Sequence, residues 1–178
     1  MFTFEIPTIA TNRLLLRAFK ASDLDAYAAM RANPEVTRYL GTGSPSTPMD
    51  VWRMMAGFLG QWALHGYGVW VCEKIDGGDF IGSVGIFHPL DWPEPEVIYS
   101  LDRPYWGQGL ATEAARAARN WLFEHFPLPR AASFIRPENR ASKRVVQKLG
   151  AVREGTYERR GATYEWWVHY RARGTIEP

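Results

Sequence analysis

The sequence predicts one mixed α/β (α+β) domain in which helices cover both faces of a mostly antiparallel central sheet. At 178 residues the chain is long enough to bury about two-thirds of its unfolded surface in one core, and a second domain would be cramped. Segments rich in β-branched and aromatic residues alternate with single segments of helical periodicity, an order that lays helices on a sheet. Between two of the strand segments, Asp76-Gly77-Gly78-Asp79 is a hairpin signal, which makes that pair antiparallel.

Residues 13–19 read as a short strand, and Ser22-Asp23-Leu24-Asp25 offers an N-cap with acidic residues in the first turn of a helix reaching about Arg31. Thr47-Pro48 opens a second helix, with Val51, Met54, Met55, Phe58, Leu59 and Trp62 at helical spacing and a stop near His65-Gly66. Residues 68–75 and 80–87 form the hairpin, and a proline-rich loop over 89–95 leads to a third strand, 96–101. Ala114, Ala115, Ala118, Trp121 and Leu122 make the stripe of a helix over 111–126. After a strand at 131–135, Asn139 caps a helix that stops at Gly150, and two strands, 152–157 and 164–170, close the chain around Gly161.

Composition narrows the function. With 46% hydrophobic and 22% charged residues and no low-complexity stretch, order is expected almost throughout, as one domain over 1–178. Net charge is +2, 21 basic against 19 acidic residues, too balanced for sequence-independent affinity for nucleic acid, so any anion site must be local. The single cysteine, Cys72, excludes an internal disulfide, and the four histidines lack ligand spacing, so no metal is expected. Residues 1–10 lack the basic and apolar regions of a secretory leader, and no segment approaches the ~20 apolar residues of a membrane span. The expectation is a cytoplasmic protein, monomer or homodimer, without nucleic-acid or membrane partners.

From Glu96 to Ala118 the order is strand, short loop, glycine pair, helix, which aims unpaired helix-start amides at a negative group. Gly107 and Gly109 let the backbone curl around phosphate oxygens; a plain tight turn would need the same glycines. No Lys-Ser or Lys-Thr follows, and the third glycine of the dinucleotide fingerprint is missing, so nucleoside triphosphates and dinucleotides are disfavoured.

Glu96-Val97-Ile98-Tyr99-Ser100-Leu101 followed by Tyr105-Trp106-Gly107-Gln108-Gly109-Leu110-Ala111-Thr112-Glu113-Ala114 resembles the acetyl-CoA signature of the GNAT superfamily of N-acetyltransferases. The branch it resembles most is that of the ribosomal-protein N-terminal acetyltransferases. Pro137-Glu138-Asn139-Arg140-Ala141-Ser142 with Lys148-Leu149-Gly150, and Glu154-Gly155 onward to Trp166-Trp167, resemble that branch's later blocks, so the likeness spans about 13–170. Departures are Trp106 where the family often has Gln or Arg, Val97-Ile98 before the tyrosine, and Ala151 where an aromatic is common. The resemblance implies a GNAT-like fold and acetyl-CoA as cosubstrate. It implies that Tyr99, Ser100 and Leu101 hold the pantetheine amides on a strand that splays from its neighbour at a bulge. Trp106, Gly107, Gln108, Gly109, Leu110, Ala111 and Thr112 then cradle the pyrophosphate, Asn139 meets the pantetheine arm, and Ser142 lies near the sulfur as a proton donor.

Acetyl transfer to an amine needs a base, a polarised carbonyl and protonation of the departing thiolate. Glu96 shares a strand face with Ile98 and Ser100 and is the candidate base, against a reading as a solvated charge at a strand start; Asp91 and Glu94 are weaker substitutes. Ser142 stands three residues after Asn139, so both can face one ligand, with Tyr99 and Tyr157 as rival acids. Among Arg136, Arg140, Lys143 and Arg144, Lys143 or Arg140 is the expected phosphate partner. Trp92 is a candidate acceptor contact. No cysteine or Ser-His pair suggests a covalent acyl-enzyme, so direct transfer to a primary amine, a peptide N-terminus or a small molecule, is expected. Two other classes stand beside it: a non-catalytic acyl-CoA-binding regulator of the same fold, and a phosphate-binding structural module.

Overall fold

The apolar run Val69-Trp70-Val71-Cys72 alternates faces along a strand, so it can be buried throughout only in a sheet covered on both sides. The structure, a computed structural model, describes residues 5–172 and shows this arrangement. The first four and last six residues, which belong to the expected 1–178 domain and, in part, to the leader reading, lie outside the described residues. The elements are β1 (Ile9–Ala10), β2 (Leu14–Arg17), α1 (Leu24–Ala32), α2 (Pro34–Thr37), α3 (Pro48–His65), β3 (Val69–Lys74) and β4 (Phe80–Phe87). There follow β5 (Glu96–Leu101), α4 (Leu110–His125), β6 (Arg130–Ile135), α5 (Arg140–Lys148), β7 (Val152–Arg159) and β8 (Ala162–Tyr170). Trp70 and Cys72 join Leu14, Leu16 and the alanine stripe of α4 in one core, while Val69 and Val71 pack with Tyr27, Met30, Val51 and Phe58 of α1 and α3 on the other face.

The eight strands run in the order β1-β2-β3-β4-β5-β6-β8-β7, antiparallel except for the β5–β6 pair. No helix among the described residues is long and apolar enough to cross a membrane. Two elements are additions to the sequence reading: the two-residue β1, and the single turn α2, whose start Asn33 caps by accepting from Glu35 N. The first helix also begins later than Ser22, because Asp23 turns inward to take two guanidinium nitrogens of Arg17 and the backbone N–H of Lys20. α3 follows expectation, with Thr47 and Asp50 forming a capping box and Gly66 closing it at φ 73°.

The feature that positions the site is the opening between β5 and β6. These parallel neighbours share one aligned pair, Glu96 with Ala132, and diverge beyond it. A bulge was expected at this point; instead β5 keeps unbroken register with β4 from Phe87–Glu96 to Gly82–Leu101. The cause is topological: β6 leaves α4 and must turn to meet β8, with which it pairs along six positions.

Candidate active site

The N-cap of α4 is Gly109, which has φ 79° and, as glycine, no side chain to cap the helix; Gly107, two residues earlier, has φ 76°. Its first amides are therefore left facing outward with the positive end of the helix dipole behind them. A side chain cannot reach over from the flank, because Glu113 in the first turn is already committed to Thr11 Oγ1 (2.7 Å), Arg13 N (2.9 Å) and Arg13 Nε (2.7 Å). Arg13 in turn donates to the Gln108 carbonyl (3.0 Å), which ties the glycine turn to β2.

From this turn a groove of about 630 Å³ runs along the β5–β6 opening to the start of α5. Tyr99, Ser100, Leu101, Trp106, Gly107, Gly109, Leu110, Ala111, Thr112, Asn139 and Ser142 all line it, as does Glu96 at its inner end. An uncapped helix start, two left-handed glycines and a splayed strand edge in one groove fit a ligand with a pyrophosphate and an amide-bearing arm, as acetyl-CoA has. Three expected residues do not line it. Gln108 folds back to donate to Pro104 O (2.9 Å), and Lys143 turns to the other side of α5, where it pairs with Glu165 at 3.2 Å. Arg140 is also absent from the lining; the cations that line the groove are Arg38, beyond α2, and Arg144 and Lys148 of α5. The two on α5 face it together. They stand four apart on α5 and so share one helix face, a spacing visible in the sequence.

Glu96 is not a solvated charge. Only 7% of it is exposed, and its carboxylate accepts from Phe134 N (3.0 Å) and Trp92 Nε1 (2.7 Å). Burial pushes its carboxyl up from 4.5 to about 7, although those two donors and Arg159 favour the anion. Asp91 pairs with Arg159 (2.6 Å) and Glu94 with Arg130 (3.0 Å), so both substitutes are committed elsewhere.

Tyr99 and Ser142 are brought together: their hydroxyl oxygens lie 2.7 Å apart, and Tyr99 also reaches the Ser142 carbonyl at 3.1 Å. Burial raises the Tyr99 phenol, which keeps it protonated. Asn139 caps α5 in the ordinary way, its Oδ1 accepting from Ser142 N at 3.1 Å, while it faces the groove.

The sequence showed no Ser-His pair, but the structure forms one. Ser133 Oγ donates to Val97 O (2.8 Å) and lies 3.1 Å from His169 Nε2. Its hydroxyl proton is thus spent on the β5 carbonyl that β6 leaves free, and burial holds His169 down at about 4, in the neutral form. The pair stitches the opening and is not arranged as a nucleophile and base. Residues 36 apart in sequence gave no local signal for it.

On the α1–α3 face a second cavity, about 880 Å³, meets the groove; Tyr39, Leu40, Glu96, Ile98, Tyr99, Ser100 and Phe134 line both. Trp92 and Tyr157 line only the second. The lone thiol, Cys72, is buried and raised by burial, so it stays protonated and out of reach.

Residues 13–152 match the family described as an acetyltransferase (GNAT) domain. An uncharacterised N-acetyltransferase of Bacillus licheniformis, p20, is 30% identical over 83% of this chain and 84% of its own. An acetyltransferase of Agrobacterium tumefaciens C58 has the same fold with a TM-score of 0.84, at 31% identity over 96% of this chain and 98% of its own. The ribosomal-protein-S5-alanine acetyltransferase of Vibrio fischeri, 22% identical over 97% of this chain and 100% of its own, shares the fold with a TM-score of 0.76. With the signature turn, the splayed strands and these likenesses together, the chain belongs to the GNAT family of acetyltransferases and is an acyl-CoA-dependent acyltransferase.

Proposed function

We propose that this enzyme carries an acetyl group from acetyl-CoA directly to a primary amine, with both substrates bound at once. The observation that supports this reading most is the meeting of two cavities at Glu96: the groove accommodates the thioester arm, and the second cavity brings the amine to the same carboxylate. Acetyl-CoA supplies the activated acyl group; the chain orients it and moves protons. The amides of Gly107 to Thr112, with Arg144 and Lys148, hold the phosphates, while the edge of β5 holds the amide arm. Glu96, poised near neutrality, takes the proton from the amine. The coupled hydroxyls of Tyr99 and Ser142 keep a proton at the groove for the departing sulfur. A peptide N-terminus and a small amine both satisfy this chemistry.

Thiol release from acetyl-CoA over a panel of amines and short peptides tests the proposal; tight binding without release on any amine would favour a regulator. Acetyl-CoA at a hundred times its Kd is expected to add about 2.7 kcal/mol of stability and raise Tm by roughly 5–10 °C. A flat melting temperature would remove the cofactor assignment. Tyr99→Phe and Ser142→Ala are each expected to lower kcat by about 10²-fold, and the double variant by little more than either, because the two hydroxyls act as one donor. Independent, multiplying losses in kcat would show that they do not.

A further inference from the structure

Arg31 sits in the last turn of α1, where its charge complements the helix dipole, yet it is only 8% exposed. Its side chain lines the second cavity, and Nε is buried without any hydrogen-bond partner. Among the described residues no carboxylate pairs with it. Arg17 is held by Asp23 and Glu73, Arg103 by Glu35, and Arg159 by Asp91, while Arg38 in the adjoining groove is exposed to solvent. Glu96 is the only acidic residue among those lining the cavity, and it is engaged by Trp92 and Phe134. The neutral polar groups nearby are largely satisfied as well. Gln61 spans Tyr67 O, Ile86 O and His88 N, and Tyr27 meets Ser83.

A buried guanidinium without a counterion is costly, and a planar fork of donors matches a carboxylate. The remaining wall is apolar and aromatic, with Met54, Phe58, Phe87 and Trp92, a lining that suits a small organic body. Resting on the acetyl-transfer reading above, we infer that the acceptor is a small primary amine that also bears a carboxylate, and that Arg31 is the residue that selects it. A peptide N-terminus, which presents an amide at that position, is disfavoured.

The test compares matched acceptors in thiol-release kinetics with the intact enzyme: phenylalanine against phenylalaninamide and phenethylamine, and 6-aminohexanoate against hexylamine. Two spacings are needed because one carboxylate position samples one distance from the amine. In at least one series kcat/KM is expected to be tenfold or more higher for the carboxylate-bearing amine. Arg31→Met is expected to bring that ratio close to one, and Arg31→Lys, which keeps the charge without the fork, to an intermediate value. Equal use of charged and neutral amines, preference for the amide, or loss of rate on both arms by the same factor in Arg31→Met would overturn the inference. Should no amine be acetylated, tryptophan fluorescence titrated with 3-phenylpropionate and with hexanoate separates the two readings. Saturable quenching by either in the wild type but not in Arg31→Met would keep the anion site while acetyl transfer fails. An absence of saturable binding of both would overturn the site itself.

Discussion

Glu96→Gln is expected to lower kcat by about 10²- to 10³-fold while the KM for acetyl-CoA stays within roughly twofold, since in the proposed reaction the carboxylate takes the proton of the amine and does not hold acetyl-CoA. Wild-type kcat/KM should rise with pH through about 7, because only the ionised carboxylate accepts a proton, and the variant should lose that limb. Stability follows the opposite sign. The folded carboxyl binds its proton more tightly than the unfolded one, so the associated stabilisation is complete below about 4.5 and is lost as pH rises through about 7. Glutamine cannot ionise. Relative to wild type, Glu96→Gln should therefore gain on the order of 3 kcal/mol between pH 4.5 and 8 in urea denaturation. At low pH the variant should be the less stable, because its amide nitrogen must face either the Phe134 or the Trp92 donor. A pH profile unchanged by the substitution would leave Glu96 as a stitch in the sheet and nothing more.

Gly82→Ala is expected to be the most damaging single change to the fold near the site. Gly82 has φ 146°, and a Cβ there would lie 2.2 Å from the Ser100 carbonyl oxygen and 2.8 Å from Leu101 Cα. Both obstacles are backbone of β5, which cannot rotate away, so β4 and β5 must part. A loss of at least about 3 kcal/mol should follow, with a fall in Tm of roughly 6–12 °C. Because Ser100 and Leu101 line the groove, acetyl-CoA affinity should fall with it. Gly57→Ala is the contrast: this glycine is inside α3 and its Cβ would meet nothing within 4 Å, so Tm should rise by a few degrees. Equal melting temperatures for Gly82→Ala and wild type would mean the strands are not held as close as described.

The parts of the site legible in the sequence were those written in local backbone chemistry. Gly107 and Gly109 both adopt the left-handed conformation, Thr47 and Asn139 both cap, and Gly150 ends its helix at φ 77°. Side chains that choose between two neighbours were not legible. Lys143 and Arg144 are adjacent in sequence, yet one pairs with Glu165 on β8 and the other faces the groove, because successive residues on a helix point about 100° apart. Which of them faced the groove depended on where β8 passed.

The sequence by itself determined the order of the strands and helices other than β1 and α2, the glycine turn at the head of α4 and the family signature around it. Each rests on propensity, periodicity and caps, which act over a few residues. Only the tertiary structure decided that β6 leaves β5 after one pair, that Glu96 is buried between Phe134 and Trp92, that Tyr99 touches Ser142, and that Arg31 lies uncompensated in the second cavity. Those are contacts between segments far apart in the chain. Burial and the field of neighbouring groups set their chemistry, and neither exists until the sheet has closed.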